Sequence, residues 1–217
     1  MKIMSTDYRG LAADGLWRKN PALVQLLGLC PLLAVSTTLV NGTILGVVTL
    51  FVLTASNLLI SLVKDFLDER IRLPLQIMVI ATFVTCADLA LQHWLFEIHQ
   101  RIGLFVALIV TNCTVLARAE SFASRNPIRA SVVDGFMMGT GFLLVIMLLS
   151  GIREILGQGT LFQGLALVFD PQIFGITDAD LVIRFNFDGL LLVILPPGAF
   201  LTFGCLLAAK NWLMQHE

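Results

Sequence analysis

Apolar residues fill the chain in six blocks, near 22–40, 43–63, 74–95, 103–119, 131–150 and 187–209, separated by charged or turn-forming positions. A helix needs roughly 17–25 apolar residues to cross a bilayer, so the pattern predicts six spans. Three of them are irregular. The first, ALVQLLGLCPLLAVSTT at 22–38, is interrupted by Gly28 and Pro31 around Cys30, and a helix beginning near Ala22 is expected to kink or stop there. The fourth is short if it must end before Arg118 and Glu120, which suggests a half-helix. Pro196-Pro197-Gly198 should break the sixth. Asn41-Gly42 reads as a tight turn between the first two spans. Gly135 and Gly139 form a GxxxG in the fifth, a face for close packing between helices.

Composition agrees with the pattern. Of 217 residues, 57% are hydrophobic and 13% charged, with mean hydropathy +0.89. A soluble domain is about 25% charged, so this is an integral membrane protein. The polar stretch 1–20 has no apolar core and reads as a tail rather than a signal peptide. Basic residues set the orientation. With the N-terminus cytoplasmic, only Arg101, Arg153 and Arg184 of the 14 Lys and Arg fall on the far side, predicting both termini inside. The segment Gly157 to Phe185 then lies outside the bilayer, on its surface or against a partner, with Asp170, Asp178 and Asp180 among apolar runs.

The first and fourth blocks are alike. Setting Cys30 against Cys113 puts Ala34 opposite Ala117 and Thr38 opposite Ser121. Further on, Lys64-Asp65 parallels Arg153-Glu154, and Trp94-Leu95 parallels Trp212-Leu213. Three spans per copy is an odd number, so the copies must be inverted, in the range 22–95 and 103–213. Counted from opposite surfaces at about 1.5 Å per residue, Cys30 and Cys113 reach similar depths, roughly 12 and 15 Å. The expected fold is therefore an all-α membrane protein of six transmembrane helices in two inverted three-helix repeats, one membrane domain. Its broken first and fourth helices carry the two thiols.

The four cysteines are too scattered for a disulfide framework or a zinc finger. A free cysteine in an apolar span is usually a small hydrophobe, and Cys86 and Cys205 read that way. Cys30 and Cys113 differ, being at equivalent helix interruptions. Two thiolates cannot close a tetrahedral zinc site or an iron–sulfur cluster, both of which want four ligands. The missing two could be Cys86 and Cys205, or could come from another subunit; the pseudo-twofold relation favours the second. Asn112 could hydrogen-bond such a site or simply cap a helix turn. Asp88, inside span three, is a candidate for an ion path, against a plain role in pairing. Lys64, Asp65, Arg153 and Glu154 read as interfacial charges ending helices. His93, His99 and His216 lie near span ends or in loops, with nothing to pair them as ligands.

GLCPLLAVSTTLVNG at 28–42, VTNCTVLARAESFASRNP at 110–127, REILGQGTLF at 153–162 and LPPGAF at 195–200 closely resemble the signature segments of the RnfE/NqrD family, over nearly the whole chain. The resemblance implies six helices in two inverted triplets and a homologous RnfA-like or NqrE-like partner of opposite topology. It also implies one intramembrane [2Fe–2S] cluster, with Cys30 and Cys113 supplying two of its ligands. The setting would be the bacterial inner membrane, in an Rnf complex (ferredoxin:NAD oxidoreductase) with RnfB, RnfC, RnfD and RnfG, where electron relay is coupled to sodium or proton translocation. Flavin and NAD would belong to other subunits, since no Gly-rich dinucleotide fingerprint occurs here. The sodium-pumping NADH:quinone oxidoreductase, with an NqrD-like role, is the near alternative. From other classes, a secondary transporter also uses inverted repeats and broken helices, and an assembly subunit would need no cofactor.

Overall fold

The computed structural model describes residues 10, 14–64, 68, 70–161, 183–184 and 189–215. The helices among them are α1 (Leu29–Val35), α2 (Leu39–Val63), α3 (Arg72–Trp94), α4 (Phe96–Ala107), α5 (Cys113–Arg118), α6 (Ile128–Gln158), α7 (Leu191–Ile194) and α8 (Pro196–Gln215). The described strands are β1 (Thr160–Leu161) and β2 (Ile183–Arg184), an antiparallel two-residue ladder. Most of the Gly157–Phe185 segment, with Asp170, Asp178 and Asp180, lies outside the described residues, as do Asp65 and His216.

Among the described residues, three helices are long and apolar enough to cross a membrane: α2, α3 and α6. They correspond to the second, third and fifth blocks. The other three blocks are interrupted.

In the first block the interruption differs from the expectation. No helix runs from Ala22 into Pro31. Residues 21–28 instead follow turns, with Leu26 and Gly28 in the left-handed region at φ 54° and 71°. Helix α1 starts at Leu29, so Pro31 occupies its first turn, where the missing N–H would have had no helical partner anyway. Proline starts this helix rather than ending one.

The fourth block is a break between two helices. The helix begins earlier than expected, at Phe96, so that His99 and Arg101 are helical. It then unwinds at Leu108 through bonds from Leu108 N to Phe105 O and Ile109 N to Val106 O. Asn112 restarts it as the cap of α5, accepting from Thr114 N at 2.9 Å. A wide turn over Ala119–Ala123 follows. The sixth block breaks at Leu195, with Pro196 opening α8.

The centre is the antiparallel pair α2 and α6. Lipid gives apolar faces no reason to segregate from it, so helices there associate by close packing. A Cβ on Gly139 would lie 2.9 Å from Leu50 Cα, and one on Gly135 would meet Thr54 and Asn57. Asn41-Gly42 is the first turn of α2 rather than the expected loop, and Gly42 and Gly46 form a second small-residue face. Gly46 meets Leu143 and Ile146. The contacts are reciprocal. The correspondence that matches Lys64 with Arg153 also matches Gly46 with Gly135, Thr54 with Leu143 and Asn57 with Ile146.

Irregular backbone at membrane depth must be enclosed. Asn20, buried, does this for the first break. Its Oδ1 accepts from Ala22 N at 3.0 Å and Leu23 N at 3.1 Å, and its Nδ2 donates to Gly141 O on α6 at 3.1 Å. The turn Asp14–Arg18 also packs on α6, with Gly15 against Met137. The described end of the expected tail is thus part of the packed body.

Candidate functional site

Cys30 lies in the first turn of α1 and Cys113 is the first residue of α5. The two breaks meet. Gly28, which caps α1, is so close to the cap of α5 that a Cβ on it would sit 2.7 Å from Thr114 Oγ1 and 2.9 Å from Asn112 Oδ1. Only glycine tolerates both this approach and the left-handed φ. The two cysteine-bearing helices therefore start side by side, and both sulfurs are on the protein's outer surface.

The contact leaves polar atoms without partners. Asn112 is 2% exposed and Thr114 0%, yet Asn112 Nδ2 and Thr114 Oγ1 make no hydrogen bond among the described residues. A buried donor left unpaired costs on the order of 1–3 kcal/mol. Two exposed cysteines at the starts of neighbouring helices, with buried unpaired polar atoms on the residues either side of Cys113, suit a metal–sulfur group completed from outside the chain. Among the described residues no three His, Cys, Asp or Glu side chains converge as a complete metal site.

Cys30 opens onto a cavity of about 520 Å³, lined also by Leu33, Thr37, Arg153 and Phe200. Cys86 and Cys205 are also exposed, Cys86 in a separate apolar groove of about 480 Å³ between α2 and α3.

Asp88 hydrogen-bonds His99 across the joint between α3 and α4, Oδ1 to Nε2 at 3.0 Å. The histidine that the sequence left unpaired thus has a carboxylate partner.

Arg153 and Glu154 do not end their helix, which runs on to Gln158. Both are buried. Arg153 Nη1 donates to Leu33 O at 3.1 Å and Ser36 Oγ at 2.7 Å, while Nε and Nη2 reach Val193 O at 3.1 Å and Ile194 O at 2.7 Å. Glu154 Oε2 accepts from Leu39 N at 2.6 Å, at the start of α2.

Sequence reasoning missed two further pairs. Arg118 on α5 forms a two-pronged ion pair with buried Asp134 on α6, its Nε to Oδ2 at 2.9 Å. Glu120, in the wide turn, binds Arg72 and accepts from Gln76 Nε2 at 3.0 Å. Asp134 lies within the fifth apolar block, and the rule that singled out Asp88 would have found it.

Comparison with known proteins bears on this arrangement. Residues 8–207 match the family model described as "Rnf-Nqr subunit, membrane protein". A protein of Shewanella loihica, named as the component designated E of the ion-translocating oxidoreductase complex, is 50% identical over 208 residues, covering 96% of this chain and 88% of the relative. Proteins of the same name from Pseudomonas aeruginosa (49%; 94% of this chain, 85% of the relative) and Cellvibrio japonicus (48%; 99% and 89%) are similar throughout. With the family's sequence pattern running through both cysteine segments and the long helix pair between them, the chain belongs to the Rnf-Nqr family of membrane subunits.

Proposed function

We propose that the chain is the RnfE component of an ion-translocating oxidoreductase complex of the Rnf type. In this reading Cys30 and Cys113 hold half of a [2Fe–2S] cluster at mid-membrane. A homologous RnfA-like subunit of opposite topology contributes the other two thiolates, and RnfB, RnfC, RnfD and RnfG complete the complex. The observation that carries the reading is the meeting of the two breaks at Gly28, Asn112 and Thr114, with both thiols facing outward. The shared name of relatives about 50% identical supports the same complex.

Bound there, the cluster would supply one-electron transfer between a donor on the cytoplasmic side and an acceptor on the other. This chain's residues would fix two sulfurs, offer Asn112 Nδ2 and Thr114 Oγ1 as hydrogen-bond donors beside them, and keep water away with apolar neighbours such as Leu29 and Leu33, which tunes potential. The reciprocal glycine contacts of α2 and α6 support two inverted repeats. The basic residues support insertion in the bacterial inner membrane with both termini cytoplasmic.

Electron paramagnetic resonance on the purified complex tests the reading. Cys30→Ser and Cys113→Ser should each abolish one [2Fe–2S] signal, while Cys86→Ser leaves it. An unchanged spectrum with normal electron transfer in Cys30→Ser refutes it.

A further inference from the structure

Helix α1 has seven residues, too few to hold its own shape in isolation. Its placement depends on what grips its two ends. At the start, Gly28 lies against Asn112 and Thr114. At the far end, Arg153 takes Leu33 O and Ser36 Oγ, one turn beyond Cys30. The same guanidinium takes Val193 O and Ile194 O, the terminal carbonyls of α7. A helix C-terminus carries partial negative charge, so two such ends converging on one cation stabilise it within the protein. Its neighbour Glu154 holds the first N–H of α2. One dipeptide of α6 thus secures both sides of the turn that joins α1 to α2.

The other repeat matches this only in part. Lys64, the counterpart of Arg153, ends α2 and donates its Nζ to Asn126 O at 2.9 Å, and Ser61 Oγ donates to the same oxygen at 2.9 Å. Asn126 closes the segment that begins with Cys113. Arg153 thus grips α1 itself, at the end away from its sulfur, whereas Lys64 grips the chain beyond the wide turn that follows α5, just before α6 begins.

We propose that Arg153 is the positioning residue for Cys30. The proposal rests on the cluster reading for its functional meaning, but the placement of each sulfur can be read without iron. Arginine suits the buried position because its planar fork holds five donors in fixed directions, where a lysine ammonium has three on a flexible stem.

The test is alkylation of the full chain in native membranes, in a Cys86→Ser/Cys205→Ser background. Dithionite and a ferrous chelator free both thiols, and N-ethylmaleimide addition is followed at each by mass spectrometry. Arg153→Gln should change the Cys30 rate about tenfold, as losing hydrogen bonds to a charged group does to a local opening equilibrium, and leave Cys113 unchanged. Arg153→Lys should recover part of the difference. Lys64→Met, which touches neither cysteine helix, should leave the Cys30 rate unchanged. Ser36→Ala, a gentler change, should give a smaller shift in the Arg153→Gln direction, again at Cys30 only. Equal changes at both thiols across the set, or none at either, overturn the proposal. In the intact complex Arg153→Gln should also alter the cluster's resonance line shape and midpoint potential, with Arg153→Lys closer to wild type. A Cys30→Ser complex that kept its signal would defeat the cluster reading while the labelling pattern of the other variants still judged Arg153.

Discussion

Thr114 Oγ1 stands where a methyl group on Gly28 would go, 2.7 Å from that Cβ, so the two halves of the chain touch at a point that admits no side chain. Gly28→Ala adds this overlap to a left-handed φ that costs an alanine roughly 1–2 kcal/mol by itself. The complex carrying it should melt earlier and lose cluster signal. Adding Thr114→Ala should restore part of the melting temperature but not all, because the backbone strain remains.

Asn20 ties the first break to α6: its Oδ1 accepts from two backbone N–H groups of the break, and its Nδ2 donates to Gly141 O on α6 and to Leu16 O. Asn20→Ala takes its side chain away from the carbonyl of Gly141 and from two backbone N–H groups. At about 1 kcal/mol for each bond lost, stability should fall by roughly 2–4 kcal/mol, measured as denaturant resistance of the detergent-solubilised complex. Asn20→Asp, which keeps the acceptor but not the donor, should lie between.

Gly139 and Gly204 separate packing from helix propensity. A Cβ at Gly139 falls 2.9 Å from Leu50 Cα, whereas no described atom lies within 4 Å of one at Gly204. Gly139→Ala should destabilise by about 1–3 kcal/mol through overpacking. Gly204→Ala should be neutral or raise the melting temperature slightly, since alanine is the better helix former.

Asp134 is 1% exposed and Arg118 makes a two-pronged pair with it. Asp134→Asn strands a largely buried guanidinium and should cost about 3–5 kcal/mol, seen as poor accumulation of the protein in membranes. The double change Asp134→Leu with Arg118→Met should accumulate better than the single one.

Asp88 and His99 are partly exposed, so their pair should contribute under about 1 kcal/mol. Asp88→Asn should shift the melting temperature little and leave the electron-transfer rate intact. A large loss of ion translocation at unchanged electron transfer would instead assign Asp88 to the ion path.

The blocks of apolar sequence located every long helix described, and Gly28 and Pro31 marked the first block as interrupted, while the fourth was marked only by its shortness before Arg118 and Glu120. What lay hidden depended on distant chain. Pro31 looked like a terminator because its role changes with helix start, and the start is set by Gly28 meeting residues 112 and 114. Arg153 and Glu154 looked like a membrane boundary, since charge at the end of an apolar run usually is one. Their partners are Leu33, Ser36, Leu39, Val193 and Ile194, none of which is near in sequence. Asp134 lies inside the fifth apolar block, and its partner Arg118 belongs to the fourth, so only the fold shows the pair.

The small-residue seam between α2 and α6 has a bearing on origin. Because Gly46 and Gly135 meet corresponding residues, the seam is self-matching in the isologous sense. On the proposed inverted-repeat reading, a half-length ancestor able to insert either way up would have met its upside-down twin through these same surfaces, and joining the two genes end to end would have preserved the contact.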